Sequence, residues 1–555
     1  MPVWKRGEEK RQSEIRHRDR FKYKCNHHSP PSAPQLSIQP ISSLDPKKTL
    51  GQRKYTFLSL LHRPLHIKEV IMTGTSGPKS HSGVIQLEEQ LAYSNSFTYP
   101  QMRLTTEDKP DIEPTKDSKH ILILGAGVSG LMTAWMLLDK GYRVTIMADD
   151  WSWSKDFDKS RMTSQIAGAL WEYPPGGCGL TEIGSVGSGW ANIDHYRDWA
   201  TQSFDFYNKY DQIYNPFEKQ GHSFGLQMTK LHQFFYTDVT LGGNDEESSK
   251  LQALEEVAKQ HPDFDLDVET YRQQQIKDTF QNINSNIDNQ DLKSAYTHRT
   301  PIVNTDKAMG YLMALVTVKG ANLETRRFEG RIKDFGAQLL QDYEADLIVN
   351  ATGLGARQLA DDEDVYPVRG AVKRVDNSRA GQFRHLNDSY LVPAQRNNNG
   401  HPTKTIFIVP RNDDVLYVGS IIQPNIYDKV LTPESPEVQL MWNRAGDFMP
   451  NLLHAKNVPL YPFAQGLRPF TKKNAKVRAD QEATFPLVHN YGHGGSGWTL
   501  GVGTARCAVY IVESLLSVWA EKEQKAAVEV NNIIYGNEMQ AKLEMQAKWE
   551  MQAKL

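Results

Sequence analysis

The stretch His120-Ile121-Leu122-Ile123-Leu124-Gly125-Ala126-Gly127-Val128-Ser129-Gly130 constrains this chain more than any other. Four consecutive apolar residues, Ile121 to Leu124, predict a buried parallel strand that ends at Gly125. Beyond the glycines, Leu131, Ala134, Trp135 and Leu138 recur at spacings of three and four, which predicts a helix. Gly125 permits a tight turn, Gly127 lets backbone approach a pyrophosphate, and Gly130 lets helix and strand pack closely. The helix start, with Val128 and Ser129 in its first turn, offers free N–H groups and a positive dipole end to phosphate. A second strand, Tyr142 to Met147, leads to Asp149 and Asp150, where a carboxylate accepts hydrogen bonds from ribose hydroxyls. Strand, glycine loop, helix, strand and acid in this order predict a dinucleotide-binding fold. NAD and FAD satisfy it equally.

From about residue 118 to 520, strand-like apolar runs alternate with helical patterns, as in an α/β protein. The formal net charge of -2 argues against attraction of the whole chain to nucleic acid, and no nucleic-acid partner is expected. No run of 18 or more apolar residues is present, so no membrane span is expected. The three cysteines, Cys25, Cys178 and Cys507, form neither a CxxC pair nor a Cys/His cluster. No metal site is expected, and a reducing compartment suits unpaired thiols.

The two ends read differently. Residues 1–117 open on a basic, nearly apolar-free run from Lys5 to Lys24 and continue through a Ser/Pro-rich stretch. They predict a solvated extension with little fixed structure before about residue 115. In the last eighteen residues a hexapeptide, Glu538-Met539-Gln540-Ala541-Lys542-Leu543, occurs three times, with Trp549 and Leu555 in the final position of the later copies. The chain closes on Ala553-Lys554-Leu555, similar to the peroxisomal Ser-Lys-Leu address, so a peroxisomal import receptor is the expected partner and the peroxisome the expected location, with the cytoplasm otherwise.

Four further stretches narrow the cofactor: Ser164-Gln165-Ile166-Ala167-Gly168-Ala169-Leu170-Trp171, Val349-Asn350-Ala351-Thr352-Gly353-Leu354-Gly355-Ala356, Gln465-Gly466-Leu467-Arg468-Pro469, and His489-Asn490-Tyr491-Gly492-His493-Gly494-Gly495-Ser496-Gly497-Trp498-Thr499. In this order and spacing, over about residues 118–520, the chain resembles the D-amino-acid oxidase and D-aspartate oxidase family of flavoenzymes. The resemblance implies FAD, and an α/β fold in which a Rossmann-like FAD-binding domain is interleaved with a mixed-sheet α+β substrate domain. The implied segments are 118–185, 301–375 and 456–522 for FAD, 186–300 and 376–455 for the substrate cap, and 523–555 as a tail.

Carried over residue by residue, the resemblance implies FAD contacts at Gly125, Gly127, Val128, Ser129, Gly130, Asp149, Asp150, Thr163, Ser164, Gly168, Ala169 and Leu170. Phe328, after Arg326 and Arg327, falls in the adenosine-side segment, and Gly494, Gly495, Ser496, Gly497, Trp498 and Thr499 line the flavin ring. Arg468, in Gly-Leu-Arg-Pro, matches the carboxylate-binding arginine, whose fork makes two parallel hydrogen bonds. The Gly495 carbonyl matches the acceptor for the substrate amine. The expected reaction consumes a D-amino acid and dioxygen and yields a 2-oxo acid, ammonia and hydrogen peroxide.

The chain departs from the family at Ile406-Phe407-Ile408-Val409-Pro410. The family has a tyrosine at the position of Phe407, and its hydroxyl touches the substrate carboxylate. A second family tyrosine falls near Ile422, and Tyr390 is the nearest alternative. Loss of one such hydroxyl removes a bond worth about 1.5–3 kcal/mol. Two other readings therefore stand beside the first: an oxidoreductase of another amine or hydroxy acid, and a flavin-binding protein without turnover. Neither side-chain preference nor oligomeric state is written in the sequence.

Overall fold

The computed structural model describes residues 83–89, 99–152, 161–176, 190–218, 224–243, 245–287, 291–379, 383–393, 395–396, 402–403, 405–411, 414–522 and 525–535. The basic opening run, the hexapeptide copies and Ala553-Lys554-Leu555 lie outside the described residues.

Two large sheets organise the fold. One has six strands in the order Lys476–Ala479, Leu487–Tyr491, Leu347–Asn350, His120–Leu124, Arg143–Ala148 and Asn322–Thr325. All neighbours are parallel except the edge pair Lys476–Ala479 and Leu487–Tyr491. Its centre, His120–Leu124, is buried along its whole length, as expected for a parallel strand covered on both faces. The second sheet has nine strands and is mixed. Its longest member, Val365–Asp376, pairs antiparallel with Phe463–Thr471, Val415–Gly419 and Gln423–Pro424. The one parallel pair joins Leu226–Phe235 to Ser389–Val392. The architecture is the expected α/β fold with interleaved sheets.

The boundaries differ in detail from those expected. Phe463–Thr471 and all of Val365–Asp376 but its last residue lie within the segments 456–522 and 301–375 expected for FAD, and both strands belong to the second sheet. An apolar run announces a strand, but its choice of partner is a long-range event that leaves no local trace.

A larger correction concerns residues 83–117. Val84–Leu87 and Met102–Thr105 form an antiparallel pair with Ile85, Leu87, Met102 and Leu104 in the core. The Arg506 guanidinium donates to the carbonyls of Glu88 and Pro100, both at 2.6 Å. Asp139, fully buried and ion-paired with Lys319 at 2.6 Å, accepts from the backbone N–H groups of Thr105 and Asp111. Burial pushes the Asp139 carboxyl up and the Lys319 ammonium down, each opposed by the partner's charge. Four-residue strands separated by a long insert carry little periodicity of their own, and their partners are residues far along the chain.

The core is built on the helix Gly497–Lys522, which packs on Val128–Asp139 and Ile193–Glu218. This helix is long and apolar enough to cross a membrane by length and composition, with mean hydropathy 1.3 over Gly497–Trp519, and here it is mostly buried inside the fold. Gly503 permits the closest approach: a Cβ there would sit 2.3 Å from the Trp199 carbonyl oxygen. The Gly503 N–H donates to Ser203 Oγ at 3.1 Å across the same contact. The N-terminus of this core helix is therefore held firmly, and it opens onto the site described next.

Candidate active site

The ends of both sheets open on one cavity of about 850 Å³. Of the residues expected to bind cofactor or substrate, every one but Gly130 lines it. Gly130 acts from behind: a Cβ there would lie 2.0 Å from the Gly125 carbonyl oxygen, so helix and loop touch only because no side chain intervenes. Gly125 has φ +108°, and its Cβ would lie 2.4 Å from the Ala351 carbonyl oxygen. The helix Val128–Asp139 begins at Gly127 without a capping side chain. Ser164 Oγ accepts from the Val128 N–H at 3.1 Å, which ties the second glycine-bearing stretch to this helix start.

At the nucleotide end, Asp149 follows the strand Arg143–Ala148 and pairs with Arg327 at 3.0 Å. Phe328 stacks on Phe335 with ring centroids 5.1 Å apart and planes 7° apart, which places a flat apolar wall beside that acid. At the other end, Gly494–Thr499 runs into the 26-residue helix, whose dipole points into the cavity. Trp498 Nε1 donates to the Ser164 carbonyl at 2.9 Å, and Thr163 Oγ1 donates to the Leu467 carbonyl at 3.0 Å. One wall thus ties the cofactor-facing turns to the strand that carries Arg468.

Arg468 lies on Phe463–Thr471 with its guanidinium over Gly370, where a Cβ would come within 2.0 Å of Nη1. Nη1 donates to the Ile421 carbonyl at 3.1 Å and Nη2 to Ser420 Oγ at 2.9 Å. Ser420 Oγ in turn donates to the Ile421 carbonyl at 3.2 Å, so the fork is oriented before any ligand arrives. Among the described residues no carboxylate pairs with Arg468. Three of its five N–H donors are left for an incoming group.

Phe407 lines the same cavity from the strand Ile406–Pro410 of the second sheet, its ring so close to Gly168 that a Cβ there would lie 2.3 Å from Cζ. Ile422 does not line the cavity, whereas Ser420 does. Tyr390 is no substitute for the missing hydroxyl: it stacks on His232 at 5.1 Å and packs in a separate core cluster.

Several cavity residues escaped sequence reasoning, among them Gly370, Ser420, Lys429 and His493. Gly370, on Val365–Asp376, and Ser420, just past Val415–Gly419, stand in stretches with no motif of their own. His493 was legible as the residue between two loop glycines, Gly492 and Gly494. Its Nδ1 lies 3.4 Å from Ser129 Oγ and its Nε2 3.2 Å from Thr504 Oγ1, tying its loop to the helices Val128–Asp139 and Gly497–Lys522. Burial holds its pKa down to about 4, so the ring is neutral at ordinary pH.

His298 is likewise buried and held down to about 4. Both histidines ordinarily titrate near 6.5, so between pH 6.5 and 4 the unfolded chain binds protons that the folded chain refuses. Their contribution to stability is complete above about pH 6.5 and is lost progressively as pH falls toward 4. Each adds a slope of up to about 1.4 kcal/mol per pH unit. Urea midpoints measured from about pH 7.5 down to about pH 5 are expected to fall; a flat profile refutes the buried neutral state.

The residues present fit FAD: two glycine-rich turns for backbone approach, an acid for ribose, a flat wall beside it, and an open helix start where a ring would lie. The chain matches the family described as FAD dependent oxidoreductase over residues 120–511. It is 26% identical over 425 residues to a D-amino-acid oxidase of Schizosaccharomyces pombe, covering 74% of this chain and 98% of that one. It is 25% identical over 406 residues to D-aspartate oxidase 1 of Caenorhabditis elegans, covering 72% and 98%. A glycine oxidase from Geobacillus kaustophilus superposes with TM-score 0.51 at 18% identity, over 71% of this chain and 95% of that one, a likeness of fold. A match of that extent makes the chain a member of the family of FAD-dependent oxidoreductases that includes the D-amino-acid and D-aspartate oxidases, with FAD as its cofactor.

Proposed function

We propose that the chain is an oxidase of D-amino acids, converting them with dioxygen and water into a 2-oxo acid, ammonia and hydrogen peroxide. The observation that carries this reading is Arg468: an oriented guanidinium on the cavity wall with no carboxylate partner among the described residues. A half-buried guanidinium oriented by neutral acceptors is placed to receive a substrate carboxylate through charge-assisted hydrogen bonds. The named relatives support the choice of an amino acid as the bearer of that carboxylate.

In this reading Gly125 to Ser129 and Ser164 hold the pyrophosphate, Asp149 and Phe328 the adenosine side, and Gly168 to Leu170 with Gly494 to Thr499 the flavin ring. The chemistry FAD supplies when bound is acceptance of the α-hydrogen as hydride, with dioxygen as the final acceptor. Arg468 fixes the carboxylate in a plane, and the Gly495 carbonyl accepts from the amine. Together they set the face that the α-hydrogen presents, which is worth several orders of magnitude in rate when the geometry is right. Phe407 closes the wall with an apolar ring that keeps water from the reacting carbon. His493, neutral and engaged at both nitrogens, positions its loop and needs no proton-transfer role.

Phe407 also favours a second reading, an oxidoreductase of another amine or of a hydroxy acid, because it withholds a carboxylate hydrogen bond. One panel separates the two. Under anaerobic conditions, D-amino acids are expected to bleach the yellow flavin while their L-enantiomers do not. Bleaching by other amines or hydroxy acids alone selects the second reading, and bleaching by no compound removes both.

A further inference from the structure

The turn at residues 167–170 lines the cavity, and each of its carbonyl oxygens is held by a donor outside the turn. Arg411 Nη2 donates to the Ala167 carbonyl at 3.1 Å and also to the Gly168 carbonyl. The Val303 N–H donates to the Ala169 carbonyl at 3.0 Å, and Thr499 Oγ1 donates to the Leu170 carbonyl at 3.5 Å. Arg411 Nη1 reaches the Val303 carbonyl at 2.5 Å, so one guanidinium fastens the turn and the strand end beside it. Arg411 is buried and does not line the cavity, which puts its charged end behind the turn. Its Cζ lies 4.4 Å from the centre of the Tyr417 ring. It immediately follows the strand Ile406–Pro410, whose Phe407 packs on Gly168.

These contacts fix where the N–H groups of the turn point. In a planar trans peptide the C=O and N–H face opposite ways. The unit that ends in the Ala167 oxygen carries the Gly168 N–H, and the unit that ends in the Gly168 oxygen carries the Ala169 N–H. Drawing both oxygens back onto Arg411 turns both hydrogens toward the cavity. Neither of these N–H groups, nor that of Leu170, has a hydrogen-bond acceptor among the described residues. Backbone donors inside a protein call for a partner. A charge-assisted bond at the oxygen also polarises the N–H of the same peptide unit, which strengthens it as a donor.

We infer that Arg411 is a positioning residue for flavin reduction: through the Ala167 and Gly168 oxygens it aims and polarises the Gly168 and Ala169 N–H groups at the electron-accepting edge of the ring. Donors fixed in advance where negative charge develops favour the reduced ring over the oxidised one. Arg411 touches neither cofactor nor substrate and acts only through these two peptide units. The inference rests on the placement of the flavin ring beside residues 168–170 and is independent of which substrate the chain oxidises.

The test uses the FAD-loaded full chain without amino acid. Sulfite, which adds to the ring at N5 and leaves it negatively charged, is the probe, followed by loss of flavin absorbance. Arg411→Met is expected to weaken sulfite binding at least tenfold. It is also expected to disfavour reduction, titrated against a redox dye, by at least tenfold, about 30 mV for a two-electron couple. Arg411→Lys keeps the charge without the fork and is expected to fall between Arg411→Met and wild type. Either variant carries the test if the other fails to fold: a flavin-loaded variant with wild-type sulfite affinity and potential overturns the inference. Amide hydrogen exchange on the wild-type holoenzyme needs no substitution. Reduction by dithionite is expected to slow exchange at Gly168 and Ala169 at least threefold while leaving Gly127 and Val128, at the pyrophosphate, unchanged. Equal rates at Gly168 and Ala169 in the two redox states overturn the inference. Neither measurement involves an amino acid, so a failure here leaves the D-amino-acid reading standing, and a negative substrate panel leaves the role of Arg411 standing.

Discussion

Arg468→Lys is expected to raise the apparent KM for the amino-acid substrate on the order of 100-fold, since two charge-assisted hydrogen bonds in a fork are replaced by one point contact worth roughly 3 kcal/mol less. The substitution also discards what orients the residue. Nη1 and Nη2 are used on the Ile421 carbonyl and Ser420 Oγ, and the remaining donors face the cavity. A lysine ammonium cannot meet both of those acceptors and a carboxylate plane at once. FAD content should be unaffected, because Arg468 belongs to the substrate end. Stopped-flow flavin reduction at increasing substrate separates binding from the chemical step. A half-saturation concentration unchanged from wild type rules out the carboxylate role.

Gly125→Ala is expected to be the most damaging single methyl group in the nucleotide half. The backbone at Gly125 sits at φ +108°, which L side chains avoid, and the added Cβ would lie 2.4 Å from a backbone oxygen that cannot rotate away. Strain at such a position and overpacking each cost about 1–3 kcal/mol, and here they act together. The turn after His120–Leu124 would be driven away from Ala351 and Thr352, just past the neighbouring strand Leu347–Asn350, and the glycine loop would be displaced with it. Purified Gly125→Ala protein is expected to carry little FAD and to unfold at lower temperature than wild type. Full FAD occupancy with an unchanged Tm would show that the turn is not the close contact described here. Gly370→Ala makes a useful contrast: its Cβ meets the movable end of Arg468, so substrate binding should suffer while FAD content does not.

Much of the nucleotide half was legible because its signals are local. A four-residue apolar run, three glycines at fixed offsets and an acid after the next strand describe a unit that folds within about thirty residues. The Gly492–Thr499 loop was legible for the same reason, with four glycines packed before one long apolar helix. The substrate end was legible only through Arg468. Ser420, just past Val415–Gly419, orients that arginine, and Gly370, on Val365–Asp376, makes room for it, but each stands in a sequence context without any mark. The reading near Ile422 missed by two residues, enough to pass from a side chain outside the cavity to one lining it. Both residues lie in the short connection between Val415–Gly419 and Gln423–Pro424, so the path of that backbone decides which side chain faces the cavity.

The hairpin at Val84–Leu87 and Met102–Thr105 shows the opposite failure. Its composition resembles that of an extension, and it is held by Arg506 and by the Asp139–Lys319 pair, residues far away in sequence. Nothing within the segment announces that support.

From the sequence alone, then, came the dinucleotide fold, because glycine geometry and helix periodicity are properties of neighbouring residues, while the flavin loop and the candidate guanidinium came from the resemblance of their motifs to the D-amino-acid and D-aspartate oxidase family. Tertiary structure alone decided which strands share a sheet, that Phe407 packs on Gly168, and that the guanidinium of Arg468 meets Ser420 and the Ile421 carbonyl with no carboxylate partner among the described residues. Those are facts of long-range packing and charge balance, and they exist only once distant segments are brought together.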